Sequence, residues 1–402
     1  VTAVKVKRIP EDFVVEELTT VQPAESGKFA LYSLEKRGIG TLEAIAALQQ
    51  RWKLARQRLS WGGLKDKHAI TRQYFTVFQG ARRGITQTNF SVEFLGYTNK
   101  PFQPSDIAGN RFEIVLRNLS EDQTQTATQA IDQIQRCGIP NYFDDQRFGS
   151  VSASGEFVAQ PWIIGNYERA IWLTFAEPHP FDTSSEKQEK AILRDNWGDW
   201  AACKAQLSRS HRRSIITFLN DRPGDYKGAW ATVNKDLRSL YLAAFQSQLW
   251  NETLTRVLRS IVPQTDLAEI QMKTSVGVFP MRCSDEQLAR LKELKIVLPS
   301  ARISIDEIED PLVKQSLVDV LQSRELELRA VRVKHPRDSF FSKGHRAALI
   351  TLDGIQHSAE PDDIHPYRKK LALKFDLPRG SYATMVIKRL GVDAADLPPA
   401  EE

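Results

Sequence analysis

One stretch of the chain concentrates residue types that can do chemistry: Trp61-Gly62-Gly63-Leu64-Lys65-Asp66-Lys67-His68-Ala69-Ile70-Thr71-Arg72-Gln73. A single carboxylate, Asp66, stands between two lysines, with His68 two positions on and a Gly pair just before. The alternating run Tyr74-Phe75-Thr76-Val77-Phe78 that follows reads as a strand. Asp66 therefore falls on a Gly-supported loop entering a strand, where a rigid scaffold can present a reactive group. Lys65 and Lys67 favour its ionised form. An ionised carboxylate among cations is equipped to act as nucleophile or base on a polyanion. The everyday use of such residues is plainer: Asp in a Gly turn is a turn former, and Lys-Asp-Lys is a solvated surface.

The wider charge distribution weighs against the plain use. Residues 51–100 hold ten Lys/Arg against two acids, Asp66 and Glu93, a surplus larger than the +5 of the whole chain, so the remainder is net acidic. Such a concentration points to a phosphate-backbone partner. The competing reading has these charges spread over several faces, solvating the fold.

The totals bound the rest. The 402 residues predict two domains, and 41% hydrophobic with 26% charged content is that of a soluble globular protein. No apolar run reaches membrane-spanning length. The opening Val-Thr-Ala-Val-Lys-Val-Lys lacks the apolar centre of a secretory signal, and its lack of an initiating Met reads as processing or trimming. Cys137, Cys203 and Cys283 are distant and odd in number, which predicts a reducing, cytoplasmic setting. There is no Cys-x-x-Cys or His-Glu-x-x-His, and the histidines are scattered, so no metal site is expected.

The elements that must position Asp66 follow from pattern. Strands are predicted at Phe13–Leu18 after a Pro10 turn, Phe29–Lys36, Phe90–Leu95 and Gly109–Arg117. Thr41 is the expected cap of a helix to about residue 53, burying Leu42, Ile45, Leu48 and Trp52. Asn110 and Phe112 lie two apart and share a face of an extended segment; an amide that reads a base edge beside a ring that stacks on it suits a base pocket. A helix runs from Glu121 to Cys137, stopped by Gly138 and Pro140. Asn141–Ser150, with Arg147, reads as a domain junction or a phosphate contact, with the junction favoured. Beyond it helices dominate, clearest at 185–207, 235–258 and 312–328, and the apolar arc of Leu240–Trp250 is too wide for a surface helix. Strands return at Ala347–Leu352 and Leu371–Pro378, Ser381 caps a helix holding Met385 and Ile387, and the last residues, with Pro398 and Pro399, read as a solvated tail. The fold class is α+β: residues 1–150 with 331–402 as one discontinuous domain, and 151–330 as a largely helical domain inserted in it.

Several runs together resemble the TruD-type tRNA pseudouridine synthases: Pro10-Glu11-Asp12-Phe13-Val14-Val15-Glu16-Glu17; Gly63-Leu64-Lys65-Asp66-Lys67-His68-Ala69-Ile70-Thr71; Gly109-Asn110-Arg111-Phe112; Asn141-Tyr142-Phe143 with Gln146-Arg147-Phe148-Gly149; and Leu377-Pro378-Arg379-Gly380-Ser381-Tyr382-Ala383-Thr384. The resemblance implies the pseudouridine synthase catalytic fold, a mixed, mainly antiparallel sheet with helices, carrying an inserted family-specific domain. It implies tRNA as substrate, at uridine thirteen of the D-arm in the bacterial branch, with no metal or organic cofactor. Asp66 would be the catalytic aspartate. Phe13, Asn110 and Phe375 would line the uridine site, with Lys65 and Phe112 close by. Lys67, His68, Arg72 and Arg147 are candidate RNA contacts.

The chemistry suits these residues. Isomerisation cuts the bond from ribose to the ring nitrogen, turns the uracil and rejoins it through carbon five. A carboxylate can attack the anomeric carbon, add to the ring, or remove a sugar proton, and the sequence leaves all three open. Cations and amide donors would stabilise a cleaved uracil anion. Two other classes compete. A non-catalytic RNA-binding or RNA-chaperone protein needs the basic surface but not Asp66. A metal-dependent nuclease needs clustered carboxylates, and Asp144-Asp145 and Asp362-Asp363 read better as caps or turns.

Overall fold

The computed structural model describes residues 4–179, 182–352 and 354–391; the expected C-terminal tail lies outside them. The chain divides into two compact units. Unit 1 holds Val1–Asn141, Phe279–Leu288 and Leu349–Glu402, and unit 2 holds Tyr142–Val278 and Ala289–Ala348.

Unit 1 is built on a ten-stranded mixed sheet: β1 (Lys5–Val6), β2 (Phe13–Thr19), β3 (Phe29–Arg37), β4 (Leu59–Trp61), β5 (Ile70–Phe78), β6 (Ile85–Thr86), β7 (Phe90–Thr98), β8 (Ile107–Leu119), β9 (Gln356–Pro361) and β10 (Lys369–Pro378). The spatial order is β9-β10-β8-β2-β5-β3-β7-β6, with β1 on β8 and β4 on β5. All pairings are antiparallel except β2 with β5, where Val15 lies beside Thr71. Strand 70–78 buries Thr71, Gln73, Phe75 and Val77 on one face, while strand 29–37 is buried without a break from Ala30 to Leu34, and their register places Tyr32 beside Phe75 as stacked rings 5.1 Å apart.

On this sheet face the helix Thr41–Trp52 buries Ala44, Ile45, Leu48 and Trp52 against Tyr32, Leu34, Phe75 and Val77. Burying each large apolar side chain contributes roughly 1.5–3 kcal/mol. Two expectations need correcting. The cap is Gly40, whose N–H is taken by Glu43 Oε2 at 3.4 Å, while Thr41 is the first helical residue. Leu42 is 56% exposed; Ala44 takes its place in the buried stripe.

The helix Glu121–Cys137 forms as expected, with Ser120 as its cap, and packs against β8 and β10. The helix Ala383–Arg389 has Tyr382 at its cap position; the Ser381 hydroxyl instead contacts Asn141 Oδ1 at 3.3 Å.

Unit 2 is largely helical. Its long helix, Lys235–Ile261, is buried along most of its length, and Pro311–Gln322 packs beside it. Trp250 Nε1 donates to Ile296 O at 3.2 Å, and Trp162 meets Trp230 edge to face at 5.1 Å. The expected helix 185–207 is two helices, Ser184–Asp195 and Trp200–Gln206. Gly198 between them sits at φ +96°, a left-handed conformation that a helix interior cannot hold. The helix expected over 312–328 ends at Gln322, and the strand expected over 347–352 is two short ones, His345–Ala347 and Leu349–Ile350.

Candidate active site

Strand register assembles the site. Phe112 lies opposite Val15 on one side and Phe375 on the other, and Asn110 lies opposite Glu17 and Leu377. Alternate residues share a face, so Phe13, Glu17, Asn110, Phe112 and Phe375 all project from the same side of β2, β8 and β10. Through the β2–β5 register, that is the side on which Gln73, Phe75 and Val77 lie. The helix Thr41–Trp52 covers only the β3–β5 half of it.

Over this face sits the loop carrying Asp66, fastened by a chain of hydrogen bonds. Lys65 N donates to Thr41 Oγ1 at 3.0 Å, Thr41 Oγ1 donates to Gln73 Oε1 at 2.8 Å, and Gln73 Nε2 donates to Gly63 O at 3.2 Å. Lys36, itself buried, donates to Asp66 O at 2.5 Å.

Asp66 is ion-paired to Lys7 through Oδ2, and its Oδ1 accepts the His68 N–H at 2.9 Å. Burial pushes its pKa up, but the Lys7 ammonium, by charge and hydrogen bond, and the His68 amide outweigh this and hold it below the ordinary carboxylate value. Lys7 is almost wholly buried and stands 4.2 Å from the centre of the Phe13 ring, a cation–π contact. The carboxylate is thereby tied to the aromatic wall. In that wall Phe112 stacks on Phe375 at 5.7 Å and meets Phe13 edge-on at 6.2 Å. The rings touch one another, so they make one wall and not two jaws.

Lys65 turns to the same face. Its Nζ lies 2.5 Å from Asn110 Oδ1 and 3.1 Å from Glu17 Oε1, while Glu17 Oε2 accepts the Tyr74 N–H at 2.9 Å. Burial lowers the Lys65 pKa, with Glu17 opposing. With Asn110 Oδ1 engaged, the amide has its NH2 donors left for a ligand.

Of the sequence-nominated residues, the structure brings Phe13, Lys65, Asp66, Asn110, Phe112 and Phe375 together. Lys67 is beside them, paired with Glu43 at 3.4 Å, and His68 is exposed. Arg72 is not with them: it projects from the opposite face of the sheet, held by Glu35 at 3.0 Å and Glu16 at 3.6 Å. Arg147 belongs to unit 2, exposed, its guanidinium 5.9 Å from the Phe143 ring. Asp362 and Asp363 both accept from Arg117 at 3.0 Å, and Arg117 also holds buried Asp12 at 2.8 Å. That cluster fixes the chain just before Phe13. No group of three or more His, Cys, Asp or Glu among the described residues is arranged to hold a metal ion. Sequence reading missed Lys7, Lys36, Glu17, Thr41 and Gln73 as supports. The Lys7–Asp66 pair spans 59 positions, which no local spacing could signal.

The family model for TruD, tRNA pseudouridine synthase D, matches residues 2–390. The chain belongs to the TruD family. Relatives match nearly the whole chain. One from Methanococcus maripaludis, whose name assigns it to tRNA pseudouridine synthase D, is 28% identical over 396 residues, covering 96% of this chain and 99% of its own. The tRNA pseudouridine synthase D of Aquifex aeolicus is 27% identical over 398 residues, covering 96% and 98%. A solved TruD structure from Methanosarcina mazei has the same fold, with a TM-score of 0.78 at 23% identity over 98% of this chain and 95% of that one. As a TruD member the chain is an isomerase, a tRNA pseudouridine synthase. No helix among the described residues is long and apolar enough to cross a membrane.

Proposed function

We propose that Asp66 is the catalytic carboxylate of this synthase, acting on a uridine drawn out of its tRNA, at position thirteen of the D-arm as the family resemblance implies. The observation that carries the reading is the Lys7 ammonium, which pairs with Asp66 and lies over the Phe13 ring. It keeps the carboxylate ionised and beside a wall on which a base can stack.

The base leaves its helix at a cost of a few kcal/mol, offset by stacking on Phe112 and Phe375 and by hydrogen bonds to its edge. The Asn110 NH2 donates to a uracil carbonyl. Lys65, held by Glu17 and Asn110, faces the negative charge that develops on the uracil when its bond to ribose breaks. Carbon five then bonds to the anomeric carbon, its proton leaves, and the ring nitrogen freed by cleavage takes up a proton, so the product is an isomer of the substrate. The setting is cytoplasmic, where tRNA is modified, with unit 1 as the catalytic domain and unit 2 as the insertion.

Asp66→Asn tests this. The variant should bind tRNA within about threefold of wild type and form no pseudouridine by carbodiimide-adduct primer extension. Full activity in Asp66→Asn would remove Asp66 from the chemistry. Absence of any wild-type stop on tRNA would favour an RNA binder without catalysis.

A further inference from the structure

We infer that the segment from Val331 to Gly344 in unit 2 is a second RNA-contact surface, where an unpaired base stacks on Phe340 and the surrounding cations meet its flanking phosphates. This rests on the tRNA substrate proposed above. Between the helical turn Leu328–Ala330 and the strand His345–Ala347 the chain has no helix or strand. A structureless run of that length is uncommon in a compact domain without a functional reason.

The segment is nonetheless fixed. His335 O accepts from Trp162 Nε1 at 2.7 Å, Ser342 O from Gln246 Nε2 at 2.8 Å, and Gly344 O is bonded by Leu298 N at 2.9 Å. Ser339 and Phe341 are buried; Phe340 between them is 66% exposed. Its ring is therefore presented outward by a backbone that cannot easily withdraw it. The Arg302 guanidinium lies 5.6 Å from the ring centre, steadied by a bond to Phe341 O at 3.4 Å.

Around the ring's segment, Arg332, Lys334, Arg337 and Lys343 are exposed, with no ion-pair partner among the described residues. The segment's only acid, Asp338, is taken by Arg238 at 3.0 Å. Protein-docking patches are depleted of charge at their centre. An exposed aromatic ring beside one guanidinium, on a segment that carries four further unpaired cations, instead matches the stacking platform and electrostatic track of single-stranded nucleic acid binding.

The test is binding of an unmodified tRNA transcript to the full chain by fluorescence anisotropy. Phe340→Ala should raise Kd about tenfold with an unchanged urea midpoint, and Phe340→Trp should restore binding. Arg332→Gln with Lys343→Gln should flatten the slope of log Kd against log salt by about 1–2. Wild-type affinity in Phe340→Ala overturns the inference, as does a Phe340→Trp variant no better than Phe340→Ala. Loss of self-association in Phe340→Ala with tRNA affinity intact would overturn it too, assigning the ring to a protein partner. The two readings fail separately. Wild-type protein that binds tRNA through Phe340 but makes no pseudouridine removes the chemistry alone. An active Phe340→Ala variant of unchanged affinity removes this surface alone.

Discussion

Asp66 carries opposing influences, burial raising its pKa and Lys7 lowering it, and the balance leaves it ionised. Lys7→Met removes the opposing charge and leaves the burial. The Asp66 pKa then rises, so the limb of kcat/KM that depends on ionised Asp66 should move to higher pH. Where Asp66 is ionised in both proteins, the loss of its tie to the Phe13 wall should still lower kcat/KM on the order of tenfold, through misplacement of the carboxylate. A pH profile of pseudouridine formation checks this; an acid limb at the wild-type position would refute the role given to Lys7. The sign for stability follows from the same shift. A carboxylate whose folded pKa is depressed stabilises the fold above its unfolded value, and that contribution is lost as pH falls through the folded one. In Lys7→Met the fold should therefore lose stability above the ordinary carboxylate range, and the gap should close in acid. Asp66 was legible in the sequence because its glycines and lysines are adjacent to it. Lys7 was not, because it reaches Asp66 only through the pairing of β1 with β8.

At the scale of elements, the loop's position depends on one hydroxyl shared between the start of a helix and the middle of a strand. Thr41→Val keeps the shape but strips Lys65 N of its acceptor and buried Gln73 of a donor. The expected cost is about 1–3 kcal/mol of stability, read from urea unfolding, with kcat reduced more than KM is raised. Unchanged kcat would mean the loop is held elsewhere. Arg117→Met leaves Asp12 and Asp362 buried without their cation and should cost about 3–5 kcal/mol, a large drop in the urea midpoint. The strands flanking the site were legible because one face of each is buried and the other wet, which writes period two into the sequence. β9 was not: all six of its residues are exposed, so Gln356–Pro361 has no alternation to read. Nor was the parallel β2–β5 contact, which depends on pairing across the sheet and leaves no local mark. The composition of the sequence shifts near 151 and 331, whereas contacts give unit 1 the stretches Val1–Asn141, Phe279–Leu288 and Leu349–Glu402.

At the scale of the whole molecule, the sheet separates two kinds of surface that the sequence interleaves residue by residue. One side of β2, β8 and β10 carries the rings, Asn110 and Glu17. The other carries a lattice of exposed ion pairs: Arg111 with Asp376 at 2.9 Å, Lys374 with Glu113 at 2.6 Å, and Arg72 with Glu35 and Glu16. The basic surplus of residues 51–100 is thus partly spent within the fold. Arg58 donates to the carbonyls of Phe78 and Gln79, and Arg83 to that of Trp52. Counting cations along the chain overstates how many can meet phosphate, and Arg72 is the clearest instance. Releasing it to bind RNA would break two carboxylate contacts on the wrong side of the sheet. Arg72→Gln should therefore leave tRNA Kd within about twofold of wild type and the salt slope unaltered. A residue that neutralises one phosphate would instead flatten that slope by about 0.9. Anisotropy titrations across a salt series distinguish the two, and a flattened slope in Arg72→Gln would mean that tRNA reaches the ion-pair face as well as the aromatic one.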